Sequence, residues 1–495
     1  MNETSRPNHR GGSRRAHGLP GTLGLTGLST LLPGGGLLVA GRRALGLLLL
    51  VPALALVGGI GWYARSGVRA ALDLAFDPAR LTVMTWVAVG VLVVWVGNVV
   101  LTYVLVRPRE RPRSHTVVGS LFVLLMCAAV ATPLGLASRY SVVQKDLVEH
   151  VFEDNRGATT PVDVTEEDPW GGRRRVSVLL LGGDGSIHRP GVRTDSVVLA
   201  SMDVRTGRTI LFSLPRNLAD VPFKAGSPLA RLYPDGFTGA GDPAEWMLNA
   251  VYRNVPALHP GVLGRSENEG ADAVKLAVAG ALGVPVDYYL LVNLAGFRSI
   301  VQAIGGVTVN INRPIPIGGN TDLGIPPDDY LQPGPDQRLD GFQALWFARG
   351  RYGSDDYQRM ERQRCMIDAI IDEAKPLNLL RRYQALAAVG RQIVRTDIPS
   401  DLLPAFVDLA GAVKGSRVRS VVFRSSSEFA PSFPDYGYVH AKVRAALRPH
   451  AATGGASPAP TGASPGPTAA PGATPSAVPA DAVDARDSCA YRPDS

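Results

Sequence analysis

The chain has 495 residues, enough for two or three domains, and is 45% hydrophobic but only 7% aromatic. Its net charge of +8 and pI near 9.5 would suit a nucleic-acid partner. However, thirteen arginines against four acids (Glu3, Asp73, Asp77, Glu110) put +9 into residues 1–115, so the remaining 380 carry −1 and nucleic acid is not expected as a ligand.

In chain order, residues 1–43 are a basic segment expected to be cytoplasmic. Within them, 19–41 is uncharged and Gly-rich with a central Pro, and reads as an interfacial or re-entrant stretch rather than a span. Three further stretches lack charge, 44–64, 81–106 and 116–138. Each reaches or exceeds the roughly 20 residues needed to cross a bilayer core, so 44–138 is expected to be an all-α transmembrane region of three helices. Three such segments in succession are not a secretory signal peptide. Orientation follows loop arginines. Arg42 and Arg43 precede the first span, and Arg107, Arg109, Arg111 and Arg113 crowd the loop between the second and third. Both are expected inside, which places everything after the third span outside.

Residues 139–172 read as a charged, partly extended stalk and 173–448 as the folded domain. Residues 449–495 read as a disordered tail, because 451–480 hold only Ala, Gly, Pro, Ser, Thr and Val478 and cannot bury a core. The cysteines, Cys127, Cys365 and Cys489, suggest no disulfide framework or zinc site and are expected as unpaired thiols. The eight histidines show no metal-ligand spacing.

Inside the domain, the apolar run 176–184, "VSVLLLGGD", predicts a buried strand delivering Asp184 to a loop. Residues 194–203 and 208–216 predict two more strands, joined by "VRTG" with Gly207 available for positive φ. A helix follows at 268–283, with Asn268 as N-cap and Gly283 as stop. Then come a strand at 286–293, a helix at 294–306 and a strand at 307–312. This alternation argues an α/β sheet covered on both faces.

The stretch 354–374, "SDDYQRMERQRCMIDAIIDEA", predicts a helix capped by Ser354, with Asp355 and Asp356 in its first turn. Met360, Ile367, Ile370 and Ile371 are its expected buried stripe. Arg349 and Arg351 precede the cap, and Arg359, Arg362 and Gln363 follow it. Such a cluster beside a helix start suits phosphate oxygens. Alone, it would equally suit a solvated salt-bridge face with weak i, i±4 pairs. Four charged groups at other strand ends, Asp184, Arg193, Asp195 and Arg216, favour a ligand site there. Two loop carboxylates also suit a hard cation with phosphate.

Together these stretches, "LLLGGD", "RTDSVVLASMD", "FSLPRN", "LGVPVDYYLLVNLAGFRSIVQAIGGVTVNI" and "LDGFQALWFARGRYGSDDYQRMERQR", resemble the LytR-CpsA-Psr family over about 173–375, with weaker likeness to about 448. The resemblance implies an α/β extracytoplasmic domain with a mixed central sheet flanked by helices. It implies a phosphotransferase that moves an anionic or secondary cell-wall glycopolymer, such as teichoic acid, from polyprenyl pyrophosphate onto a peptidoglycan hydroxyl, at the bacterial cell membrane. By the same resemblance, Asp184 and Asp195 would hold Mg²⁺ or Mn²⁺. Arg193, Arg216, Arg351, Arg359 and Arg362 would grip the pyrophosphate, and Arg349 and Gln363 match the motif. Asp195, Asp356 and Arg216 are the catalytic candidates, with the base either Asp195 or Asp356. The sequence departs from the family at position 217, where Asn217 stands for the usual Asp and removes a charge. The insertion 224–246 is expected to shape the acceptor side. Two rival readings use the same residues: a polyprenyl-pyrophosphate phosphatase with water as acceptor, and a non-enzymatic polymer-binding regulator.

Overall fold

The computed structural model describes residues 18–65, 74–108, 112–152, 157–183, 194–320, 324–353, 355–373, 394–448, 483–484 and 489–492. They belong to two compact units, Met1–Glu149 and His150–Ser495.

The first unit is helical: α1 (Leu19–Leu31), α2 (Gly35–Val39), α3 (Arg43–Ala64), α4 (Pro78–Val106) and the start of α5 (Arg113–Val151). Three of these, α3, α4 and α5, are long and apolar enough to cross a membrane. Helix α1 has 13 residues, about 20 Å of rise against a hydrocarbon core of about 30 Å. It breaks at Gly34 and lies against α4 through polar contacts. Trp95 Nε1 donates to Thr30 O at 3.0 Å, Asn98 Nδ2 to Ser29 O at 2.9 Å, and Gly34 N to Asn98 Oδ1 at 3.3 Å. Asn98 thus satisfies backbone groups that the break in the helix exposes.

Helix α5 continues to Val151, so the stalk expected from 139 onward is helical in its first part. Residues 139–151 contain good helix formers and a Lys145–Glu149 pair at i, i+4, 3.6 Å apart.

The second unit begins earlier than 173. Thr159 Oγ1 donates to Asp272, Thr160 Oγ1 donates to Asp397 Oδ2 at 3.0 Å, and the Trp170 ring meets Phe406 at 5.1 Å. Residues 157–172 are therefore packed domain. Strands β1 (Arg175–Gly183), β2 (Thr194–Asp203) and β3 (Thr209–Leu214) form an antiparallel meander. Gly207 turns β2 into β3 at φ 68°, where a Cβ would strike the backbone of Ala412. Helices α6 (Pro228–Leu232), α7 (Leu248–Leu258) and α8 (Glu269–Leu282) follow. The expected caps of α8 are present: Asn268 accepts from Ala271 N, and Gly283 sits at φ 67°. Next come β4 (Tyr288–Asn293), α9 (Leu294–Ile304), β5 (Val307–Ile311), β6 (Ile315–Asn320), β7 (Ile325–Leu331), β8 (Gly334–Leu339), α10 (Gly341–Arg349) and α11 (Asp356–Glu373). The domain ends with β9 (Val394–Thr396), α12 (Leu403–Lys414), β10 (Val418–Val422), α13 (Tyr436–Leu447) and β11 (Val483–Asp484).

The main sheet has seven strands in the order β11-β10-β3-β2-β1-β4-β9. It is mixed: β4 runs parallel to β1 and β10 parallel to β3, and the other pairs are antiparallel. The α/β fold with a mixed sheet and flanking helices is as expected. Strand β5, however, leaves this sheet and pairs with β8 in a separate ribbon. On one face, Leu179, Leu181, Leu199 and Phe212 pack against α7, α8 and α13 through Val251, Val274, Val278 and Val439. Each such side chain contributes on the order of 1.5–3 kcal/mol of burial. Lys275 and Asp397, both 1% exposed, pair at 2.6 Å, and Asp397 also accepts from Tyr289 N.

Two expectations for the C-terminal part are corrected. Cys365 and Cys489 form a disulfide across Cα atoms 5.2 Å apart, rather than remaining unpaired. The far end of the tail also lies on the domain. Strand β11 pairs with β10. Asn310 Nδ2 donates to Cys489 O at 2.8 Å, and Arg492 N donates to Asn312 Oδ1 at 2.7 Å. A separation of 124 residues hid the partnership from spacing arguments.

Candidate active site at the strand ends

Asp195 is the second residue of β2, and β2 pairs antiparallel with β3 through Val197↔Leu214. Continuing that register by two residues sets Asp195 opposite Arg216, just past Pro215. Arg216 Nη1 donates to Asp195 Oδ1 at 2.6 Å, a charge-assisted bond between half-exposed groups. Asp184 and Arg193 lie outside the described residues. The register Gly183↔Thr194 brings the backbone on either side of that segment together.

Helix α7 starts against the same strand end. Leu248 N donates to Leu218 O at 2.9 Å and Asn249 N to Arg216 O at 3.0 Å. Helix α10 carries a capping box, in which Asp340 accepts from Gln343 N and Gln343 returns the bond. Arg349 is its last residue. Its guanidinium stacks 5.0 Å above the Trp346 ring.

The C-terminal carbonyls of α10 have no partner within their own helix, and α11 supplies them. Arg362 Nε donates to Phe347 O at 2.8 Å, Arg362 Nη2 donates to Gly350 O, and Gln363 Nε2 donates to Ala348 O at 3.4 Å. These bonds to backbone fix the turn that presents Arg349 and Arg351. Burial pushes the Arg362 pKa down to about 10, with the Arg359 charge acting in the same direction, so Arg362 is still cationic at neutral pH. Arg359 is 3% exposed, with Nη2 donating to Asp195 O at 3.4 Å. It links α11 to β2 beneath the site.

Helix α11 differs from expectation in two details. The capping carboxylate is Asp355, which accepts from Gln358 N at 2.7 Å, while Ser354 lies outside the described residues. The buried stripe is Met360, Cys365, Met366 and Ala369, with Ile370 partly buried; Ile367 and Ile371 are only half-buried. Asp356 opens the helix. On its other side, Arg364, 3% exposed, donates from Nη1 to Ser420 Oγ at 2.6 Å and ties α11 to β10.

Around these elements lies a cavity of about 310 Å³, lined by Asp195, Arg216, Asn217, Ala244, Met247, Asn249, Arg349 and Arg351. Three guanidiniums face one carboxylate, so the cavity is strongly electropositive and built for an anion with several oxygens. The hard oxygens of Asp195 beside an anion site fit a divalent cation shared with phosphate. Among the described residues, no three His, Cys, Asp or Glu side chains cluster as a metal site. The insertion 224–246 reaches the cavity through Ala244. Tyr233, left unassigned by sequence, belongs to an aromatic cluster with Phe237 and Trp246. Sequence reasoning missed Asn249, which in "WMLNAVY" looks like an ordinary residue of a helix start, and Arg364, whose role depends on β10.

Comparison with known proteins adds independent findings. A model of the LytR_cpsA_psr family matches residues 142–439. Two proteins named polyisoprenyl-teichoic acid–peptidoglycan teichoic acid transferase TagU are similar. That of Enterococcus faecalis is 28% identical over 272 residues, covering 54% of this chain and 73% of the relative. That of Bacillus cereus is 28% identical over 272 residues, covering 53% and 73%. Among solved structures, B. subtilis TagV matches with 21% identity and a TM-score of 0.40, over 55% of this chain and 96% of that one.

Proposed function

Because the chain belongs to the LytR-CpsA-Psr family, we propose that it is a membrane-anchored phosphotransferase, joining a glycopolymer to peptidoglycan through a phosphodiester. The donor in this reading is a polyprenyl-pyrophosphate-linked polymer. The observation that carries the reading is the cavity walled by Arg216, Arg349 and Arg351 with Asp195 at its edge. Phosphoryl transfer asks mainly for positioning and for stabilisation of charge on oxygen, and this wall supplies both without a nucleophilic side chain.

In the reaction, an acceptor hydroxyl oxygen forms a bond to the polymer-linked phosphorus. The bond from that phosphorus to the bridging oxygen breaks, and polyprenyl phosphate leaves. The hydroxyl proton passes to a carboxylate, Asp195 or Asp356. Arg216, Arg349 and Arg351 hold the pyrophosphate oxygens, with Arg193 and Arg359 adding positive charge. Arg362 and Gln363 hold the Arg349–Arg351 turn in place. Asp195 with Asp184 would hold Mg²⁺ or Mn²⁺, which when bound would neutralise pyrophosphate charge.

Placement outside the membrane is supported by loop arginines and by the Cys365–Cys489 disulfide, since disulfides persist in oxidising compartments. The apolar helices keep a lipid-borne donor and the site on one surface.

The test uses the full chain in lipid nanodiscs with Mg²⁺, a polyprenyl-pyrophosphate saccharide and uncrosslinked glycan strands. Saccharide joined covalently to glycan, lost in Asp195→Ala and Arg349→Ala, is the expected result. Release of saccharide phosphate without joining would assign a phosphatase. Binding without turnover, indifferent to Asp195, would leave a polymer-binding protein.

A further inference from the structure

Asn249 is 6% exposed and lines the cavity, yet among the described residues its buried Oδ1 has no hydrogen-bond partner. A buried acceptor left unsatisfied is costly, and native structures keep few of them. Both backbone bonds at the start of α7, Leu248 N to Leu218 O and Asn249 N to Arg216 O, hold the residue beside Arg216. The backbone of Asn249 is therefore fixed beside the cavity, and its amide carbonyl is an acceptor that no described protein donor meets.

The chemistry of the wall says which part of a ligand that is. Arg216, Arg349 and Arg351 are donors only, and phosphate oxygens at neutral pH are acceptors only. Phosphate belongs against the guanidiniums and is repelled by a carbonyl oxygen. The Asp195 carboxylate, also in the wall, already receives Arg216. The unmet acceptor at Asn249 thus calls for an O–H or N–H, groups that a sugar carries and a pyrophosphate does not.

We propose that Asn249 binds the acceptor glycan, receiving a hydrogen bond from a sugar hydroxyl or acetamido N–H and so setting the attacking hydroxyl against the phosphorus. The inference rests on the transfer reading above. It makes Asn249 a residue that selects glycan over water. An amide carbonyl does not take up the hydroxyl proton; that stays with a carboxylate.

The experiment compares wild type with Asn249→Ala and Asn249→Leu, as full chains in nanodiscs. It measures donor affinity, transfer rate against glycan concentration, release to water, and Tm, and repeats the transfer assay across Mg²⁺ concentration. Asn249→Leu keeps the branched shape of the side chain without its polar atoms, and Tm identifies a variant that fails to fold. The expected result is a glycan KM raised about tenfold or more, as for loss of one hydrogen bond in a dry site. Donor affinity should stay within about twofold and release to water should be unchanged, so the ratio of transfer to hydrolysis falls. A purely structural role would lower Tm and all three functional measures together, and would overturn the proposal. Donor affinity falling in step with transfer would place Asn249 on the donor, at its saccharide or its pyrophosphate. A raised Mg²⁺ requirement would make Oδ1 a cation ligand. Either result, or unchanged glycan KM, overturns it. Failure of the parent reading shows separately, in wild type alone, as donor binding with nothing joined to glycan; the inference falls with it.

Discussion

Arg349 and Arg362 carry the same charge on adjoining helices but make different contacts. Arg349 is exposed at the cavity wall, stacked on Trp346. Arg362 bonds the carbonyls of Phe347 and Gly350. Arg349→Ala is expected to weaken donor binding at least tenfold, because it removes a charge-assisted phosphate contact, while leaving stability within about 0.5 kcal/mol. Arg362→Ala leaves two carbonyls of a helix terminus without partners, at roughly 1–3 kcal/mol each where they are buried. It is expected to lower Tm clearly and to weaken donor binding only by loosening the turn. Thermal melting alongside donor titration separates the two; equal Tm loss in both variants would refute the division. The arginine density and the carboxylate at β2 were legible because charges at strand ends stand out from apolar runs. Which arginines line the cavity and which bond backbone carbonyls was not, since that depends on where the carbonyls of α10 end, a tertiary fact.

At the scale of elements, β1 to β4 and α8 were readable because continuous apolar runs and cap residues agree with the fold. β10 and β11 were not, because their pairing joins residues far apart in sequence. The same distance hid the strap that ties the chain end to α11. Cys365 lies on the helix that carries Arg359 and Arg362, and its bond to Cys489 closes a loop spanning 124 residues. Chain-entropy reasoning puts such a crosslink at up to about 5 kcal/mol. Cys489→Ser is expected to lower Tm by several degrees. Reductant should lower the Tm of wild type to the same level and leave the variant unmoved. A wild-type Tm insensitive to reductant would refute the strap. The buried Lys275–Asp397 pair offers a second test. Lys275→Met leaves Asp397 charged in the interior with, among the described residues, only Tyr289 N and Thr160 Oγ1 as donors, and is expected to cost about 3–5 kcal/mol. Urea unfolding measures this, and a loss below about 1 kcal/mol would mean water reaches the site.

For the whole molecule, the proposed side of the membrane follows from two independent physical facts. Arginines in the loop after α4 favour the inside, which with three spans would send the domain out. The disulfide then meets an oxidising compartment, as it needs. The native cysteines can report on this without a new label site, because the third, Cys127, lies within α5 and away from both termini of that apolar helix. In intact cells, a membrane-impermeant maleimide is expected to label nothing at Cys365 or Cys489 until a reductant is added, and then the partly exposed Cys489. If the domain faced the cytoplasm, both would be reduced at the outset. Cys489 would react only after permeabilisation, and then without reductant. The same labelling on a chain with Arg107, Arg109, Arg111 and Arg113 changed to Gln tests the electrostatic cause. If loop charge sets the orientation, a fraction of the molecules should lose surface labelling. If the fraction labelled stays the same, the charge of the N-terminal segment alone is enough to orient all three spans.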